Sequence, residues 1–139
     1  MKNWFTSLNG VIALSFIALL TFLGRTFLDF QFVYNEFAPS PNQAALAMLL
    51  NVALFGGWLW SLYVAVRGSR RGLIAALIFA LLLPFGGGIG TLVSFCPSPC
   101  PTAGGLMEIA NWGNLVTGGL AAVAVGLNLQ QIRTRSVLS

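Results

Sequence analysis

Histidine is absent from this sequence, and its 139 residues include only seven Lys or Arg and three Asp or Glu. Without histidine the chain lacks the usual axial ligand of haem, the usual zinc and copper ligand, and the default general base. Charged residues make up 7% of the chain, far below the roughly 25% of a soluble domain. A water-soluble globule is thereby excluded. Cysteine is nearly missing as well, with Cys96 and Cys100 the only pair. No Asp, Glu, Lys or Arg falls in the core of any long apolar run. Proton-driven transporters and ion channels carry such a group where their cargo passes, so neither class is expected.

What is present is apolar: 57% of residues are hydrophobic, gathered into four runs, each near the roughly 20 residues that cross a bilayer as a helix. The expected fold is therefore all-α, a single integral-membrane four-helix domain with spans at Trp4 to Leu23, Ala44 to Val66, Gly72 to Phe95 and Leu106 to Leu127. The first run follows Lys2 as a signal peptide would. It exceeds the roughly 7 to 15 residues of a signal core, however, and no small-x-small site follows Leu23, so it reads as an uncleaved helix.

The connections differ in character. Gly24 to Gln43 is the longest, and Phe27, Phe30, Tyr34 and Phe37 recur within it at helical spacing. That pattern predicts an aromatic belt at the membrane interface, either on a surface helix or on an extension of the first span. Pro39 and Pro41 end the element. The second connection, Arg67-Gly68-Ser69-Arg70-Arg71, is too short for anything but an antiparallel helix pair. Six of the seven basic residues lie at the N-terminus, in this connection and near the C-terminus. The positive-inside rule puts those regions in the cytoplasm, an N-in/C-in topology in a membrane expected to be the bacterial inner (plasma) membrane. Such edge placement is a topology signal and does not form a nucleic-acid patch.

Three features invite a chemical reading. Cys96 and Cys100 fall in the third connection, on the expected outer side, where a disulfide pinning the turn is expected. Cys96, Pro97, Cys100 and Pro101 are similar to the copper-binding stretch of Sco-type copper chaperones, which add a histidine that this chain does not have; Met107 is the one nearby soft ligand. Some four-helix membrane oxidoreductases also place cysteines on the outer surface, but they relay electrons through a second pair. No metal and no cofactor is expected.

The centre of the third run, with Pro84, Gly86, Gly87, Gly88 and Gly90, predicts a kinked or locally unwound helix, because Pro84 cannot donate to the carbonyl of Ala80. Broken helices at bilayer depth pack closely or line a ligand site. Along the fourth run Ala110, Asn114, Gly118, Ala122 and Gly126 recur every four residues, a stripe that lets another helix approach closely. Asn111 and Asn114 can hydrogen-bond across such an interface, for about 0.6 to 2 kcal/mol each.

These features point to a non-enzymatic membrane protein, an accessory, scaffolding or assembly subunit whose partners are the lipid bilayer and other membrane subunits or further copies of itself. The alternative is a small carrier or binder of a lipid-like, quinone or pigment ligand at the broken third helix, using Asn51, Asn111 and Asn114. A third reading is redox or copper handling at the outer cysteines. A small multidrug-type exporter has similar size and helix count, but it needs an acidic residue inside a span, and this chain has none there.

Overall fold

The computed structural model describes residues 4–28, 41–87 and 104–138, and those residues form four helices. A 3-10 turn over Trp4–Thr6 leads into α1, Leu8–Leu28. Helix α2 spans Pro41–Val66, and α3 spans Arg70–Ala80 and runs on as a π-helical segment, Leu81–Phe85. Helix α4 is the longest, Gly104–Leu138. Among the described residues, three stretches are long and apolar enough to cross a membrane: Leu8–Leu28, Met48–Val66 and Glu108–Thr134. The described residues are helical apart from short turns, and these three stretches make the chain an integral membrane protein.

Local chemistry sets the helix ends. Ser7 caps α1: its Oγ accepts from the Gly10 N–H at 3.1 Å and donates to the Trp4 carbonyl at 2.6 Å. Gly10 is required there, since a side chain would run into that same Trp4 carbonyl. At the other end α1 continues past Leu23 to Leu28, so the Gly24-to-Leu28 part of the long connection extends the first helix. The rest of that connection, up to Ser40, lies outside the described residues. Helix α4 likewise runs well beyond Leu127, because Gln130, Gln131 and Arg133 are good helix formers.

The α2–α3 hairpin is closed by a Schellman motif. The Gly68 N–H donates to the Ala65 carbonyl at 2.9 Å and the Ser69 N–H to that of Val64 at 3.3 Å, with Gly68 at φ +84°. Gly72 then lets the two backbones meet, since a Cβ on it would stand 2.8 Å from the Ser61 carbonyl oxygen. Trp58 is fully buried on this pair and stacks on Phe79, with ring centroids 6.3 Å apart.

Helix α1 packs chiefly on α4, α2 on α3, and α3 with its π segment on α4. Small side chains make these seams tight: Ala18, Ala76, Ala80, Ala121 and Ala122 surround Trp58 in one core cluster. Val11, Ala65, Leu73, Ala124 and Val125 form a second, towards the hairpin end. Polar bonds fix the antiparallel register of α1 and α4. Near the hairpin end, Asn128 donates to the Thr6 carbonyl at 2.7 Å and Gln131 to Thr6 Oγ1 at 3.0 Å. Further along, the Thr21 and Thr117 hydroxyls share a 2.7 Å bond.

The remaining seam, between α1 and α2, is much less closed. Phe22 and Phe55 meet there at 5.3 Å between centroids. Beyond them, away from the hairpin, the two helices leave a cleft.

Candidate functional site

That cleft has a volume of about 540 Å³ and is walled by Leu20, Leu23 and Phe27 of α1 and by Met48, Val52 and Phe55 of α2. Its few polar groups are Thr26, whose hydroxyl bonds back to the Phe22 carbonyl at 2.9 Å, and Asn51. Small-molecule sites occupy roughly 300 to 1,000 Å³ and combine an apolar lining with a few placed polar groups, and this cleft fits both criteria. Gly24 completes the wall, and nothing lies within 4 Å of where its Cβ would be.

On the far side of α1 a polar layer crosses the helices. Its geometry begins at the π segment. Pro84 has no N–H for the Ala80 carbonyl, and a π turn moves each bond one residue on, so that the Gly86 N–H reaches the Leu81 carbonyl. Pro84 is buried here because α4 comes up against it. A Cβ on Gly118 would stand 2.6 Å from the Phe85 nitrogen and 2.9 Å from Pro84 Cγ. The small-residue stripe of α4 thus meets α3 at its π turn.

The stripe is not uniform. Ala122 is buried and Ala110 half-buried, while a Cβ on Gly126 would meet nothing within 4 Å. Asn114, one turn beyond Gly118, is 0% exposed, and neither its Oδ1 nor its Nδ2 has a hydrogen-bond partner among the described residues. Asn111 Oδ1 is also buried without one. At the same level Arg25, one turn beyond Thr21, brings Nη1 to 3.6 Å from the Cβ position of Gly87. Arg25, Gly87 and Asn114 therefore share one layer, contributed by α1, the end of α3 and α4.

Of the residues singled out in the sequence, Pro84, Gly86, Gly87, Asn114 and Gly118 come together. Asn51 lies apart from Asn111 and Asn114, across the bundle on the α1–α2 seam. Gly88, Gly90, Cys96 and Cys100 lie outside the described residues, and so does the side chain of Met107. Sequence reasoning passed over the Thr21–Thr117 bond and Arg25. Their signal was the four-residue spacing of Thr21 and Arg25, which puts both on one face of α1. Ser15 Oγ, Trp58 Nε1 and Asn128 Oδ1 are likewise buried without a partner among the described residues.

No protein-family model, no curated protein and no solved structure matches the chain.

Proposed function

We propose that the protein is a non-enzymatic binder of a lipid-like molecule, held in the cleft between α1 and α2, in a bacterial inner membrane with both termini in the cytoplasm. One observation carries the reading: three seams are closed by small buried side chains, while α1 and α2 leave an apolar cleft of about 540 Å³. In a membrane such a cleft opens to acyl chains, and its few polar atoms suit a molecule that is mostly hydrocarbon. On this reading the ligand sits on the α1–α2 seam, across the bundle from the Pro84 segment of the third helix, where the sequence pattern put it. The orientation is supported by Arg67, Arg70 and Arg71 lying at the bundle end where Thr6 meets Asn128, the end that also leads to Arg133.

The test is extraction of the purified protein with organic solvent followed by mass spectrometry. Wild type releases one dominant lipid-like species, and Val52→Trp, which fills the cleft, releases much less. Equal and heterogeneous lipid from both would contradict the proposal.

A second reading, an accessory or assembly subunit of a larger membrane complex, draws on the ends of α2 and α4 away from the hairpin. Leu46, Leu49 and Ile109 are well over half exposed there. A partner subunit covering them would co-purify in mild detergent, and a lone monomer would count against it.

A further inference from the structure

The cleft accommodates a tail, but it does not account for the polar layer behind α1. Buried amide atoms without partners are costly, and in native proteins they mark a place where a water, ion or ligand atom belongs. Asn114 leaves a donor and an acceptor unmet, and Asn111 a second acceptor. Asn114 shares its stripe with Gly118, which faces Pro84 and Phe85, so helical spacing brings Asn114 one turn further along, to the level of Gly87. The Arg25 guanidinium arrives at that same residue from α1. A cation from α1 and, from α4, an amide N–H and two amide oxygens thus lie near one level of the bundle. Gly24, next to Arg25, leaves α1 bare between this layer and the cleft.

This set of groups discriminates among head groups. Guanidinium and amide N–H groups take the oxygens of a phosphate. The two amide oxygens require a proton donor, and Asn114 is sealed from bulk water. A phosphocholine head has no N–H or O–H to give, and a quinone carbonyl serves the donors alone. A phosphoethanolamine head answers both demands. The geometry points to a head-group subsite at Arg25, Asn111 and Asn114 for a phospholipid whose phosphate is joined to a proton-donating head group, with phosphoethanolamine as the case tested and its acyl chain in the α1–α2 cleft. The assignment rests on the cleft reading above.

The experiment is a native mass spectrometry titration of the delipidated full-length protein. Its probes are phosphatidylethanolamine, phosphatidylcholine with the same acyl chains, and water-soluble glycerophosphoethanolamine. The ethanolamine lipid should bind about tenfold more tightly than the choline lipid, the effect of roughly one charge-assisted hydrogen bond. Asn114→Leu, and independently Arg25→Gln, should bring the ethanolamine lipid down to the level of the choline lipid. Val52→Trp should weaken both lipids alike. If Asn114→Leu does not fold, Arg25→Gln decides. Equal binding of the two lipids to wild type, with Val52→Trp weakening both, would overturn the subsite and leave the cleft standing. No effect of Val52→Trp would overturn the cleft reading itself. Soluble head group binding as tightly as the lipid would overturn the lipid assignment.

Discussion

Gly118 of α4 lies against Pro84 of α3 so closely that a Cβ on the glycine would stand 2.9 Å from the proline Cγ. The contact joins the middle of the small-residue stripe to the one turn of α3 whose hydrogen bonding is displaced. Because the neighbour on the other side is the Phe85 backbone nitrogen, at 2.6 Å, the strain of a side chain cannot be relieved by a rotamer change.

Gly118→Ala should therefore destabilise the protein by about 1 to 3 kcal/mol, the usual cost of overpacking. Gly126→Ala, in the same stripe but with nothing within 4 Å, should be neutral or slightly stabilising through helix propensity. Thermal unfolding in detergent checks both. Gly68 makes a poor control even though it sits in a turn, because its φ of +84° strains any other residue.

The Thr21–Thr117 bond should couple α1 and α4 modestly. A double-mutant cycle with Thr21→Val and Thr117→Val is expected to give about 0.6 kcal/mol, with a ceiling near 1.7 kcal/mol. Each hydroxyl also bonds a carbonyl of its own helix, Ala18 or Gly113, which leaves the pair short of protons and keeps the coupling small. A coupling of zero would mean that the hydroxyls serve only their own helices.

Topology can be read by thiol labelling in a chain whose Cys96 and Cys100 are both replaced by Ser. A cysteine at Ser69 should be shielded from a membrane-impermeant reagent in intact cells, and one at Ser40 should react. The reverse pattern would place the hairpin outside.

A disulfide between Cys96 and Cys100 would close a very short ring and so would contribute less than the roughly 3 kcal/mol of a 15-residue loop. Replacing both cysteines by Ser should lower the melting temperature slightly and leave lipid binding intact. Loss of binding with an unchanged fold would instead give the cysteines a chemical role.

Much of the architecture was legible. The basic Arg67-to-Arg71 turn announced the hairpin, and Pro84 announced a break in helical hydrogen bonding, since both effects are local in sequence. The stripe from Ala110 to Gly126 promised close approach, but small residues encode a distance and do not name a partner; only the register of α3 on α4 selects Pro84. The open α1–α2 seam was illegible for a related reason. Leu20, Leu23, Met48 and Val52 look alike whether they face another helix or lipid, because inside a bilayer both surroundings are apolar. Arg25 was read as part of a connection, and it entered the polar layer once α1 proved to run on to Leu28.

The central claim, a lipid held between α1 and α2, is tested most directly by a photo-crosslinking diazirine side chain placed at Val52. Illumination in native membranes should give one discrete adduct of lipid mass, whereas the same group at Val123, exposed on α4 away from the cleft, should give a heterogeneous mixture of lipids. The same mixture at both positions, or an adduct to another protein at Val52, would contradict the account.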